Sequence, residues 1–314
     1  MPATEQEKYG YQQYIVDRIK VLGCVSYDPE ATMWHYTNGS GLIGILESGT
    51  IYATQVACLN DSTEVRYASK VYRDAVLELQ KKKLDDPVAN RFLTKLVDLT
   101  QENPAVPVHG PSRFFVSCFS SREDDLSQWR SYGGAGGENG YALGFKARGL
   151  NNLPNGALFR VNYDRDAHKR AASEIAEATL RFFLEGLEND HTRTPETWTD
   201  DFLAEWNDWI SRVGPVVKDD CFRDEDEFRI VHELHAYEFH QIRFSQKATL
   251  LSRHLSLSFP IWMQTRYSIL PLIKVVIGPG RQQAITQVGV KVLLKQMGYG
   301  ELEVAISQRP LQRP

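Results

Sequence analysis

The chain has 314 residues, 42% apolar and 24% charged, close to ordinary soluble usage, which excludes a disordered, collagenous or heptad-repeat polypeptide. Lys and Arg number 36 against 40 Asp and Glu, a formal net charge of −4, so no global basic field is available to hold nucleic acid. At about 150 residues per domain the length allows one large domain or two ordinary ones, and without a clear linker or repeat a single α+β domain over 1–314 is expected.

Residues 4–22 are spaced for an amphipathic helix, with Tyr9, Tyr14, Ile15, Ile19 and Leu22 on one face. This polar N-terminus has no apolar signal stretch, and no run of about 18 apolar residues occurs anywhere, so a cytoplasmic protein without a membrane partner is expected. The core is expected to run over about 33–306. Met33 to Thr37 is rich in strand formers, and Asn38-Gly39-Ser40-Gly41 then breaks the strand and offers Ser40 as a helix N-cap. Leu42, Ile45 and Leu46 give a short helix its apolar face, Gly49 is placed to end it in the left-handed conformation, and Ile51 to Thr54 resumes a strand.

Asp61 or Ser62 caps a long helical pattern from Thr63 to about Lys83, and a second pattern runs from Val88 to about Leu99, together a helical insertion over 61–101. A proline-bearing break at 103–111 follows, and Arg113 to Ser120 has the aromatic density of a buried strand. The glycine-rich stretch Gly133 to Gly140 leads into a further strand, Tyr141 to Phe145. A second helical insertion covers 166–212. It comprises helices at 166–189 and 195–212, with Pro195 in a first turn and Trp198, Phe202, Trp206 and Trp209 forming a core-facing stripe. Glu225 to His232 alternates, which puts Glu225, Glu227, Arg229 and Val231 on one strand face and Phe228 and Ile230 on the other. Ile273 to Ile277, a helix from about Gln282 to Met297, and Leu302 to Ile306 read as a closing β-α-β unit.

Three places can carry chemistry. His35 at a strand end can present a ring N–H to a sugar hydroxyl or phosphate, or it can be a core histidine satisfied by backbone. Glu225-x-Glu227-x-Arg229 can stabilise a cationic sugar transition state, with Arg229 holding one carboxylate ionised, or it can be a solvated face with cross-strand ion pairs. Ser117 with Trp129, Tyr132 and the glycine loop can stack on a flat heterocycle and approach phosphates, or the two rings, one helical turn apart, can simply pack. Cys24, Cys58, Cys118 and Cys221 lie far apart with no CxxC spacing, which suits buried free thiols and no metal. His232-Glu233-Leu234-His235 lacks the gap of HExxH, no Walker A, GxGxxG or GxSxG run occurs, and Gly278-Pro279-Gly280 is read as a tight turn.

Trp34-His35-Tyr36-Thr37 followed by Gly41-Leu42-Ile43-Gly44-Ile45-Leu46-Glu47-Ser48-Gly49-Thr50-Ile51-Tyr52-Ala53-Thr54 resembles the opening of ADP-ribosyltransferase-fold proteins. There a histidine strand precedes a "GILxxG" helix and a second strand. Through Phe115 to Ser120, Ser127 to Tyr132, Phe222-x-x-Glu225-x-Glu227-x-Arg229 and Val275 to Pro279, the chain also resembles the bacterial family DUF2971 over roughly 33–280. The first resemblance implies a mixed β-sheet core decorated by helices and NAD+ as substrate, with no metal. It implies that His35 bonds the nicotinamide ribose, that Glu227 holds a 2′-hydroxyl as the glycosidic bond opens, and that Glu225 orients an acceptor. His35, Tyr36, Thr37, Tyr52, Ser117, Trp129, Tyr132 and Arg229 would line the NAD+ site. The sequence departs from the histidine, tyrosine, glutamate pattern, because no tyrosine lies within Phe114 to Ser120, where Ser117 stands instead. Nicotinamide stacking then falls to Tyr36, Tyr52, Trp129 or Tyr132.

The expected activity is that of an NAD+-dependent ADP-ribosyltransferase or NAD+ glycohydrolase, of the kind found in bacterial toxins and anti-phage effectors. Its acceptor would be protein, nucleic acid or water, with a regulatory partner restraining it. The alternatives are a non-catalytic nucleotide- or protein-binding module of the same fold, and a hydrolase using the Glu225/Glu227 pair.

Overall fold

A computed structural model of the protein describes residues 5–23, 27–59, 63–101, 113–132, 139–153, 156–206, 213–247, 250–259 and 270–309. Its helices are α1 (Glu5–Gly23), α2 (Gly39–Ser48), α3 (Thr63–Lys82), α4 (Pro87–Gln101), α5 (Leu126–Tyr132), α6 (Ala147–Leu150), α7 (Arg165–Asn189), α8 (Pro195–Trp206) and α9 (Gln283–Gln296). Its strands are β1 (Thr32–Thr37), β2 (Thr50–Gln55), β3 (Phe114–Ser120), β4 (Tyr141–Lys146), β5 (Gly156–Arg160), β6 (Glu227–Glu233), β7 (Arg243–Lys247), β8 (Leu250–Ser258), β9 (Leu272–Ile277) and β10 (Glu303–Ile306). Among the described residues no helix is long and apolar enough to cross a membrane.

The chain divides into two compact units, one made of 1–24, 55–114 and 161–222 and the other of 25–54, 115–160 and 223–314. The first unit is helical and contains α1, α3, α4, α7 and α8. Its core is aromatic: Phe92 stacks on Phe183 with ring centroids 3.9 Å apart, and Phe202 meets both rings edge-on. Trp198, fully buried, donates its indole N–H to the carbonyl of Phe183 at 2.9 Å, so its polar handle is satisfied inside the core. Pro195 opens α8 as its spacing predicts, and the described part of the tryptophan stripe, Trp198 and Phe202, is core. The side chain of Trp206, and all of Trp209, lie outside the described residues, as do Cys24, the Asp61/Ser62 cap, the break at 103–111 and most of the glycine stretch at 133–138.

The second unit is built on a mixed sheet of order β10-β9-β4-β1-β3-β2-β8-β7, with β6 pairing both β3 and β5. The α+β class expected from the alternation of patterns is therefore present. β9, α9 and the parallel β10 form the closing β-α-β unit. β1 lies antiparallel to β4 along its whole length, Thr32 opposite Lys146 through Thr37 opposite Tyr141. Met33, Phe115, Phe119, Leu143, Phe145, Phe228, Ile230, Val275 and Ile277 meet in one apolar core, to which α2 adds Leu42, Ile45 and Leu46.

Four expectations are corrected. The N-cap of α2 is Asn38, whose side-chain oxygen accepts the Gly41 N–H at 2.9 Å, while the Ser40 hydroxyl donates to that same oxygen. Gly49 does end the helix in the left-handed conformation, at φ 64°. The strand expected from Glu225 begins only at Glu227, because Asp220 to Glu225 form a 3₁₀ turn and Asp226 adopts φ 41°. Cys221 is exposed and Cys118 half-buried, so of the described cysteines Cys58 alone is buried. Finally, β5, β7 and β8 were not anticipated, although Leu255-Ser256-Leu257-Ser258 carries the period-2 alternation of a strand.

Candidate functional site

Every candidate site residue, His35, Tyr36, Thr37, Tyr52, Ser117, Trp129, Tyr132, Glu225, Glu227 and Arg229, belongs to the second unit, and β3 organises most of them. β1 pairs with β3 through Trp34 opposite Ser120, and β2 and β6 pair with β3 as well. Where a strand changes partners, backbone carbonyls need other donors. The His35 ring supplies one, its Nδ1–H donating to the Cys118 carbonyl at 2.9 Å. On the adjacent residue, the Ser117 hydroxyl donates at 2.7 Å to the carbonyl of Tyr52. His35 on β1 and Tyr52 on β2 are thereby tied to neighbouring residues of one strand.

His35 is half-buried, and its ring lies 5.6 Å from that of Phe119. Burial pushes its pKa below the ordinary histidine value against the opposing backbone hydrogen bond, so at neutral pH the ring is uncharged. With the proton held on Nδ1 by Cys118, Nε2 is the acceptor nitrogen. Tyr52 is 53% exposed and stacks on His254, ring centroids 4.2 Å apart at 29°. His254 was missed because it sits on β8, a strand the sequence reading did not assign.

The other predicted stacking residues divide by exposure. Tyr132 is 39% exposed at the end of α5. Tyr36 and Trp129 are core residues, packed edge to face at 4.7 Å. The Tyr36 hydroxyl donates to the Arg122 carbonyl at 2.7 Å and accepts the Asp125 N–H at 3.2 Å, and burial drives its pKa far up. Trp129 donates its indole N–H to Asp124 at 2.7 Å, and its ring lies so close to Gly278 that an added Cβ there would stand 2.8 Å from it. Both rings therefore serve packing, and Thr37 ends β1 at half burial.

The acidic segment is rearranged by Asp226. Its carbonyl accepts the Ser121 N–H at 3.2 Å, and its carboxylate accepts from Ser121 and from Arg160 at 2.8 Å. Burial alone would raise this carboxyl, but these donors outweigh it and hold the group below its ordinary value. Glu225, one residue before the kink, gives its carbonyl to the Ser120 hydroxyl at 3.0 Å. Glu225 and Glu227 consequently do not share a strand face, which removes the geometric basis for pairing them as two acids of a hydrolase.

Glu227 stands at the first position of β6, not at its centre, and is 6% exposed. Arg229, 1% exposed, forks onto it, Nε to Oε1 at 2.8 Å and Nη2 to Oε2 at 2.8 Å. This is the bidentate, charge-assisted geometry that a guanidinium makes best. Alternation sets Glu227 and Arg229 on the side of β6 away from Phe228 and Ile230, whereas His35 shares its side of β1 with Met33. Met33, Phe228 and Ile230 belong to the same apolar core. The fold thus ties His35, Ser117 and the Tyr52 carbonyl around β3 and gathers Glu227 with Arg229, but alternation sets His35 and Ser117 on the core side of the sheet and turns the Tyr52 ring, between the core residues Ile51 and Ala53, and the Glu227–Arg229 pair away from it.

Residues 128–230 match the model of a family described as protein of unknown function, DUF2971. Over that span, about a third of the chain, the sequence is similar to the DUF2971 family. The DUF2971 match is narrower than the resemblance noted over 33–280: it takes in Trp129, Tyr132, Glu225, Glu227 and Arg229 and leaves out His35, Tyr52 and Ser117. No curated protein and no solved structure matches the chain.

Proposed function

We propose that this protein binds NAD+ beside the junction of β1, β3 and β2 and acts on its nicotinamide bond, as an ADP-ribosyltransferase or NAD+ glycohydrolase with an ADP-ribosyltransferase-like sheet. The observation that carries this reading is the tethering of the His35 ring and of the Tyr52 backbone carbonyl to adjacent residues of β3. A neutral histidine with an oriented acceptor nitrogen suits a ribose hydroxyl, and an exposed tyrosine ring suits a flat nicotinamide. In this reading Tyr52 takes the stacking role, since Tyr36 and Trp129 are committed to the core. Cleavage builds positive charge on the ribose, which a buried carboxylate stabilises more in the transition state than in the ground state, and Glu227 is the buried carboxylate of the predicted set. The acceptor would be protein, nucleic acid or water, the setting that of a bacterial toxin or anti-phage effector acting in the cytoplasm under a restraining partner.

One observation favours a second reading, a non-catalytic nucleotide- or protein-binding module. Both Glu227 oxygens already accept from Arg229, and alternation turns the pair away from the His35 side.

The test is nicotinamide release from NAD+ by the purified protein, with and without cell lysate as acceptor, beside His35→Ala and the charge-neutral double variant Glu227→Gln/Arg229→Met. Release that both variants abolish, with circular dichroism unchanged, supports the enzyme, and labelled NAD+ then separates transfer from hydrolysis. NAD+ binding by calorimetry that His35→Ala weakens, without any release, supports the binding module. Neither binding nor release overturns the NAD+ reading.

A further inference from the structure

The C-terminal helix α9 packs on the sheet through Val290 and Leu294, both buried. Its opposite face is apolar too. Ile285, Val288 and Val292 recur at i, i+3 and i+7 and are 70%, 62% and 53% exposed, so they form one stripe along two turns. Other large exposed apolar residues, such as Val21 and Ile43 in helices and Leu84 in the turn after α3, stand singly, as is ordinary for a soluble surface. Gly289 lies on the exposed side of the helix, and nothing approaches within 4 Å of where its Cβ would be, which leaves room for another backbone to come close.

The charges around the stripe have one sign. Arg281, just before the helix, and Lys291 and Lys295 within it are all exposed, and none has an acidic partner among the described residues. From Arg281 to Lys295 there is no aspartate or glutamate, although the whole chain is net negative at −4. An amphipathic helix of the opposite character, apolar on one face with acidic flanks, would bury the stripe and neutralise the cations. A second copy of this chain would instead bring six cations and no anion to one small contact. A lipid surface is also a poor fit, because α9 is pinned to the sheet and its short branched side chains lack the aromatic and long aliphatic reach of interfacial helices.

We propose that the outer face of α9 is the docking surface for an acidic amphipathic helix of a partner protein. The probe is a fluorescein-labelled helical peptide of about 18 residues, long enough to be helical in water, with leucines at i, i+3, i+4 and i+7 and glutamates on both flanks. Its anisotropy is read against the full-length protein, against Val288→Ser/Val292→Ser and against Lys291→Glu/Lys295→Glu. These sites are exposed, so both variants should keep the native circular dichroism and melting temperature.

The expected result is salt-sensitive binding that each variant weakens by about tenfold or more, equivalent to roughly 1.4 kcal/mol. Equal binding of a lysine-flanked version of the peptide overturns the proposal, as does binding that neither variant changes, or no binding at all. Sedimentation of the protein with phosphatidylserine vesicles, lost in the same variants, would assign the face to a membrane. Concentration-dependent dimerisation lost in those variants would assign it to a second copy, and either outcome also overturns the proposal.

Discussion

The pair Glu227 and Arg229 decides what a substitution here can report. A guanidinium 1% exposed and a carboxylate 6% exposed are held together by two bonds of 2.8 Å, so each is the compensation for the other's burial. Glu227→Gln removes the charge, keeps the size and leaves Arg229 buried beside a neutral amide. That variant is expected to lose about 3–5 kcal/mol of stability, the usual cost of breaking a buried pair from one side. Glu227→Gln/Arg229→Met removes both charges and should recover most of that loss, and urea denaturation of the single and double variants measures the difference. If the single variant is as stable as the parent, the pair is solvated in solution and its catalytic availability rises. A loss of activity in Glu227→Gln alone is therefore no evidence for chemistry.

At the scale of elements, the start of α2 and the packing of α8 on α7 give two further expectations. Asn38→Ala should cost about 1 kcal/mol as the loss of an N-cap, while Ser40→Ala, whose hydroxyl only donates to the cap, should cost clearly less; thermal melts rank the two. A Cβ at Gly186 would stand 2.4 Å from the Trp198 ring, which is buried and fixed by its bond to Phe183, so Gly186→Ala is expected to cost about 1–3 kcal/mol by overpacking. Gly186→Ala with Trp198→Phe should be less damaging than the sum of the two changes, because the shorter ring vacates the space.

These elements also show what was legible. The long helices announced themselves through their 3.6-residue spacing, and Gly49 and Pro195 marked a helix end and a helix start. Asn38 and Ser40 both have side chains that cap well, and spacing alone does not choose between them. In Glu225-Asp226-Glu227 nothing signals that Asp226 turns to φ 41° and takes Glu225 off the strand; that conformation is fixed by Ser121 and Arg160, distant in sequence. The tethering of His35 to Cys118 and of Ser117 to Tyr52 depends on strand order, which local alternation does not encode.

For the whole molecule, each unit carries a histidine whose pKa is lowered by desolvation, buried His168 in the helical unit and half-buried His35 in the sheet unit. His168 accepts from the Tyr67 hydroxyl on Nδ1 at 2.8 Å and donates from Nε2 to the Asn162 carbonyl at 3.0 Å, an arrangement that needs the neutral ring. In the folded state both rings resist a proton that the unfolded chain takes up at about pH 6.5. The unfolded state then binds more protons, so stability is intact above that pH and falls as the medium is acidified through it. We expect the urea midpoint to drop between pH 7 and pH 5, and hydrogen exchange followed by mass spectrometry to show the loss in peptides from both units. His168→Gln should flatten the pH slope in peptides from α3 and α7 while leaving that of β1 and β3, and His35→Gln should do the reverse. Both variants lose some stability at pH 7, so the slope and not the absolute value is the readout. Slopes unchanged by either substitution would mean that other groups govern the acid response, and would take from His35 the neutral, backbone-fixed state on which its part in the NAD+ proposal depends.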